Sequence, residues 1–525
     1  MPIIQFPEWS PDQPDFNPPG SAVIRNCVPR TAKSYGPMPT PQLFSQNALD
    51  ARCQGSYSIK AADESVYVFA GDQHKLYMIP PSSESFTNVS RTTGGAYNTP
   101  DVGNGGFWSM TSFGKRIIAS NWADPMQTIL LGQTNFTELS ATAPKAKYIT
   151  TVKDFLFVAN TSDPTDGAVP FRCWWSGLGN PTQWPTPGTV TAQQVMSDYQ
   201  DLQQTELGAI TGLSAGFLGA ADVAVFMERG IWTANFVGNP VIFAFRVVSG
   251  APGCIAPLSI VPSRIRGGNG AILPATYYLG SDGFQAFTGD AAIPIGAAKF
   301  DREFFREASS PYLHFVQGVA DPGSKIIAWA FCSETAVAGL FDRVLVYNWE
   351  LGRAVICELN PEINHAEWLT QGLYANAYNL DELDQFGDLD VIRPSFDDRF
   401  WLGDRISRIS TFRNDHTLAT WNGRAMGPTL DIPELQPHPG RRTWITNVRP
   451  LIDGAVDTAT VQVGQRDRLA DPVVWRAEVP INIIGDCPQR YSGRYIRLRL
   501  KIPPGQAFDH LQGLDVTVHP GGRMR

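Results

Sequence analysis

Gly212-Leu213-Ser214-Ala215-Gly216 spells G-x-S-x-G, the spacing at which a serine becomes a nucleophile if a strand feeds a strained turn and a helix follows. Here Phe217 to Ala221 lead straight into the apolar run VAVFM, which reads as another strand, so the sequence predicts a turn between sheets at this point. The histidines His74, His314, His365, His416, His438, His510 and His519 form no HxH or HxxxH pair, and no Cys/His cluster has zinc spacing. Seven scattered cysteines without a CxxC pair read as buried free thiols rather than a disulfide framework. The Gly-rich segment Gly103 to Gly106 lacks the lysine and hydroxyl residue of a phosphate loop. Asp381, Asp384, Asp388 and Asp390 are the oxygen ligands that Ca²⁺ prefers, but not at EF-hand spacing, and a solvated acidic turn is the simpler reading. Trp174, Trp175 and Trp184 have the type of a sugar-stacking platform; at strand ends they read as packing between sheets. These residues predict no catalytic, metal or cofactor site, and hence a protein that is not an enzyme.

The elements that carry these residues recur. Seven times a short apolar, β-rich run passes through Gly, Asp, Asn or Ser into a second such run. The copies are Val66 to Pro80, Arg116 to Gly132, Asp154 to Ser176, Val223 to Phe236, Thr276 to Gly289, Lys325 to Trp349 and Asp398 to Phe412. Their starts are spaced near the ~40–50 residue period of propeller blades. A lone hairpin cannot bury its faces; stacked radially, four-stranded sheets cover one another and leave only short edges. The predicted fold is all-β, a β-propeller of six or seven blades at 56–425.

Two flanks differ from this pattern. Residues 1–55 contain PEWSPDQPDFNPPG and YGPMPTPQ, in which proline removes helix and central-strand options, so an extended arm is expected. Its apolar patch Ala22 to Val28 has the character of an added strand, on the same propeller or on another subunit. Residues 426–525 read as a β-sandwich-like domain with strands at Thr443 to Leu451, Ala459 to Gly464, Val473 to Val479 and Arg494 to Ile502. In the last, Ile496, Leu498, Leu500 and Ile502 face one way and Arg497, Arg499 and Lys501 the other.

The 525-residue chain is 43% hydrophobic with 48 Gly and 41 Pro, a composition that suits many short strands and ample core. No apolar stretch approaches the ~20 residues of a membrane helix, and the N-terminus lacks the pattern of a signal peptide, so neither membrane insertion nor export is expected. A net charge of −8 argues against a surface built to grip nucleic acid. The sign is uneven: an acidic insert near 358–398 holds ten acids against Arg393 alone, and the C-terminal domain is rich in arginine.

Several strings then follow one another in a familiar order: MPIIQFP, HKLYMI, NFTELSATAPKAKYITTVKDFLFVAN to RCWWS, AITGLSAGFLGAADVAVFMERGIWTANF, TYYLGSDGFQAFTGDAAIPIGAAKFDREFF, DRVLVYNWELGRAVICEL and GRYIRLRLKIPPGQAFDHLQGLDVTVHPGGR. Their order resembles the tail hub, or nozzle, proteins of short-tailed bacteriophages, also called packaged-DNA stabilisation proteins. The resemblance spans most of the chain as a loose pattern and covers the acidic insert least. It implies a structural virion protein, assembled in the bacterial host cytoplasm and located in the tail, that forms a cyclic homohexamer below the portal and the adaptor ring. Such a ring extends the DNA channel, retains packaged genome and permits its ejection. The implied partners are further copies of the chain, the tail adaptor ring, tail fibre or needle and plug proteins, and double-stranded DNA passing without sequence recognition.

Under this reading Asp381, Glu382, Asp384, Asp388 and Asp390 are candidates to face the channel or a basic neighbour, since an acidic lumen lets a duplex slide. Arg497, Arg499 and Lys501 are candidates for subunit docking, and the arm for exchange between subunits. The alternatives are a propeller that binds or hydrolyses carbohydrate as a receptor reader, and a scaffold propeller with a peptide partner.

Overall fold

In the computed structural model, which describes residues 3–359, 365–373 and 407–523 apart from 15, 17, 82, 204–205, 219–220, 338 and 455, the turn signals resolve into antiparallel four-stranded sheets. Among the described residues there are seven blades: blade 1 at 55–88, blade 2 at 109–138, blade 3 at 145–201, blade 4 at 210–248, blade 5 at 261–294, blade 6 at 317–358, whose four strands continue into a larger sheet, and blade 7. The last is composite, with Ala366–Leu373, Ser407–Arg413 and Leu418–Ala425 joined by Pro39–Leu43 as its outermost strand. The chain is therefore a seven-bladed β-propeller, and no helix among the described residues is long and apolar enough to cross a membrane.

Six of the seven predicted hairpins are the two middle strands of blades 1 to 6, for a physical reason. Middle strands are covered on both faces, so they become continuous apolar runs, as in Ile326–Phe331 and Arg343–Asn348, where every residue but Arg343 is buried. Of the seventh prediction, Asp398 to Phe412, the first run lies outside the described residues; Ser407–Arg413 pairs with Ala366–Leu373 and, across a turn at Asn414 to Thr417, with Leu418–Ala425.

Aromatic rings carry the packing from blade to blade. Phe157 meets Phe243 at 5.4 Å, Phe226 meets Tyr278 at 4.9 Å, Phe284 meets Trp329 at 4.7 Å, and Phe315 meets Trp368 at 6.1 Å. Phe86 against Phe412, at 5.8 Å, closes the circle from blade 7 to blade 1. Between blades 1 and 2 a Cβ on Gly55 or Gly71 would come within 2.5 Å of Trp108, so the indole occupies space that only glycine leaves. Trp108 Nε1 donates to the Asp72 carbonyl at 2.8 Å.

The C-terminal residues form two facing sheets. One orders Cys487–Gly493, Arg441–Asp453 and His510–Arg523; the other orders Thr429–Leu435, Tyr495–Lys501 and Thr460–Arg466. Ile432, Ile445, Val461, Leu498 and Leu514 pack between them in one cluster with Tyr277, Trp329 and Leu345 of blades 5 and 6. The domain thus shares a core with the propeller.

The arm is extended, as its prolines require, and is bound to its own chain along its length. Ile3–Gln5 pairs with Gly513 to Asp515. Ile24–Arg25 lies between blade 6, through Ile356, and the C-terminal domain, through Thr429 and Leu430. The Ala22 to Val28 patch adds a strand, as expected, and in the single chain both of its edges are taken by residues of the same chain. Asp12 caps the helix Asp301–Glu307, accepting from Arg302 and Glu303 amides at 3.0 and 2.9 Å. The guanidinium of Arg353, 6% exposed, donates to the carbonyls of Pro7 at 2.8 Å and Thr31 at 3.0 Å and lies 4.5 Å over the Tyr35 ring. Replacing this cation with methionine removes both hydrogen bonds and the ring contact, so Arg353→Met is expected to lower the unfolding free energy by about 1–3 kcal/mol and expose the arm to protease first. Calorimetry and limited proteolysis test this; a variant as stable as wild type would contradict the clamp.

Candidate functional site

The residues singled out in the sequence mostly serve structure. Ser214 sits in the innermost strand of blade 4, 4% exposed, paired in register with Ala224 and within 2.8 Å of the Thr276 hydroxyl. No strained strand-to-helix turn raises it. Trp174, Trp175 and Trp184 are buried, with Trp175 stacked on Phe157 and donating to the Met196 carbonyl, so they pack rather than present a platform. All seven cysteines are buried free thiols, and burial pushes Cys254, Cys332 and Cys357 up to about 12.

Arg497, Arg499 and Lys501 alternate with the buried Ile496, Leu498 and Leu500 on one strand, as expected. Arg499 makes a two-pronged pair with the buried Asp431 at 2.6 and 2.8 Å and covers the Trp475 ring at 4.2 Å. Lys501 pairs with Glu478. Two of the three cations are thus neutralised inside the domain, as a strand neighbouring acid-bearing strands allows. Asp381, Glu382, Asp384, Asp388 and Asp390 lie outside the described residues.

Asp301 is a buried acid of a different kind. It begins a short helix, accepts from the Phe284 amide at 3.2 Å, leaves Oδ2 without a partner, and is pushed up to about 6, chiefly by burial. Its carboxyl fills the space that Gly283 and Gly296 lack a Cβ to occupy, and at 6% exposure no substrate reaches it.

A cavity of about 380 Å³ opens at the end of the propeller where the innermost strands begin. Phe107 reaches it from the lead into blade 2, Lys147, Tyr148 and Asn160 from blade 3, Thr211 and Glu228 from blade 4, Pro257 from the lead into blade 5, and His314 and Phe315 from the lead into blade 6. Five blades converge because radial stacking points the same end of every innermost strand toward the axis. Burial holds the Lys147 ammonium below the usual lysine range. The sequence carried no signal for this set: its members are single residues scattered over different strands and the loops that lead into them, brought together only by the circle. Among the described residues no group of His, Cys, Asp and Glu is arranged to hold a metal ion.

No family model and no curated protein matches this chain. Solved β-propeller structures do. A computationally designed protein, Ika8, is 7% identical, covering 73% of this chain and 99% of its own, with a TM-score of 0.33. BBS1N in complex with ARL6DN is 8% identical over 74% and 98%, with a TM-score of 0.33. The N-terminal domain of Nup159 is 8% identical over 68% and 94%, with a TM-score of 0.32.

The pH dependence of Asp301 has a definite sign. Its folded pKa near 6 exceeds the unfolded 3.8, so its contribution to stability is full below about 3.8 and is lost as pH rises through about 6. Asp301→Asn, uncharged throughout, is expected to raise Tm at pH 7.5 by about 1–3 °C and to converge with wild type near pH 4. Melting curves across that range check it; an equal shift at both ends would mean that the carboxyl's ionisation is not the cause.

Proposed function

We propose that this chain is a structural protein of a bacteriophage tail, the repeating unit of a nozzle or hub ring below the portal and adaptor that extends the DNA channel, retains packaged genome and lets it out. The observation that carries the reading is the order of resembling strings along most of the sequence, from MPIIQFP to the GRYIRLRLKI ending. A propeller tied by its own N-terminal strands to a second β domain supports it, since a ring under internal DNA pressure needs subunits that do not open at their joints.

With the arm bound within its own chain, the ring contact needs another surface. Ile483 and Ile484 protrude from a turn held by Asn482 Oδ1, which accepts from the Ile484 and Asp486 amides at 3.1 and 2.9 Å. They are 107% and 68% exposed, an apolar tip fixed in place, and we assign it to contact with a second copy in the ring. Quantitative protein analysis and imaging of purified virions test the reading: a ring of copies is expected, with genome lost from particles made without the protein. A single copy per particle, or full retention of DNA in its absence, would sink it. Ile483→Asp with Ile484→Asp is expected to leave the monomer's melting temperature unchanged and abolish ring incorporation.

The carbohydrate-reading alternative draws on a separate observation, the axial cavity.

A further inference from the structure

Half-burying an ammonium without an anion beside it costs free energy that the fold must offset. Lys147 is in that position. Its ammonium makes no hydrogen bond and no ion pair among the described residues, and the one partner it has is the Tyr148 ring at 5.9 Å. Its neighbour on the lip is Gly105, where a Cβ would lie 3.9 Å from Nζ, so the backbone there approaches the ammonium closely and leaves the cavity side open. Glu228, from the next blade, lines the same cavity but pairs with Arg229 at 3.7 Å rather than with Lys147. The cavity therefore keeps one cation and one anion apart, with the Asn160 amide between the apolar walls of Tyr148 and Phe315.

We propose that this cavity binds a small carboxylated sugar, with the ligand carboxylate on Lys147 and its hydroxyls donating to Glu228 and the Asn160 carbonyl oxygen. The volume of about 380 Å³ lies within the ~300–1,000 Å³ of small-molecule sites, and a sugar acid carries at its two ends the charge and the donors that the lining residues separate. A neutral sugar leaves Lys147 unpaired. Inorganic phosphate answers Lys147 but is repelled by Glu228 and gives the apolar wall nothing to cover. The lowered proton affinity of Lys147 agrees with a site in which the anion is supplied by the ligand. The inference does not depend on assembly into a tail ring, and a monomer suffices to test it.

Calorimetric titration and ligand-observed NMR of the full chain with sodium glucuronate, glucose and sodium phosphate supply the test. Glucuronate is expected to bind with millimolar or tighter Kd, glucose about tenfold more weakly or worse, a difference of about 1.4 kcal/mol, and phosphate not to compete. Lys147→Met is expected to lose at least about tenfold for glucuronate while melting no lower than wild type, because it removes an unpaired half-buried charge and keeps the stem. Glu228→Gln, at an exposed position, is expected to weaken glucuronate and admit phosphate. Absence of glucuronate binding, binding indifferent to Lys147→Met, or phosphate competing as strongly as glucuronate in the wild type would each overturn the proposal.

Discussion

Closure by the N-terminal segment is the constraint on which the rest of the structure depends. Pro39–Leu43 completes blade 7 beside Leu418–Ala425, so the ring is locked by strands from opposite ends of the propeller sequence. Without it Leu418–Ala425 would be an open edge, with a row of unpaired amides and carbonyls in the place where the circle must resist opening. The same joint is reinforced from inside. Glu367, almost fully buried in the innermost strand of blade 7, accepts from the Cys53 amide at the start of blade 1 and from His416, and the hydrogen bond raises the proton affinity of that imidazole.

The arm that leads to this strand has no core of its own and takes its order from what it touches. Its prolines already restrict the unfolded chain, so less conformational entropy is lost on docking than for a flexible segment of the same length. Each contact is of a kind suited to a strand without neighbours in sequence: a ladder where amides remain, as at Ile3–Gln5, a side-chain cap at Asp12, and a buried guanidinium where prolines leave only carbonyls, as at Pro7. By inserting Ile24–Arg25 between blade 6 and Thr429–Leu435, the arm makes one hydrogen-bonded sheet run from the propeller into the C-terminal domain. Together with the shared apolar cluster, this sheet makes relative motion of the two parts costly.

The surface chemistry follows from that economy of pairing. Charges that look available in sequence, Arg499 and Lys501, are consumed by Asp431 and Glu478 on neighbouring strands, and Arg466 is held by the buried Glu434. Among the described residues, two features stand poised for an outside partner: the apolar turn at Ile483 and Ile484, which suits a protein surface, and the cavity at the strand ends, where the Lys147 ammonium has no anion beside it, which suits a small molecule. A structural ring and a ligand site at the end of its subunits' axes are compatible in one molecule, because the propeller separates its lateral faces from its axial ones.

The sequence by itself determined the class of fold, the middle hairpins of blades 1 to 6, the added strand at Ala22 to Val28 and the alternation of Tyr495–Lys501. These are local properties: a strand covered on both faces must be apolar throughout, a strand covered on one face must alternate, and proline forbids the rest. The innermost and outermost strands, such as Ser109–Phe113 and Thr87–Asn88, were not legible, because partial exposure permits mixed sequences there. Only the tertiary structure decided that the arm folds back on its own chain, that Pro39–Leu43 belongs to blade 7, and that Arg499 meets Asp431 rather than an outside acid. It alone also gathered Lys147, Asn160, Glu228 and His314 around one cavity. Those are pairings between residues far apart in the chain, and closing a ring selects them by geometry that no local spacing records.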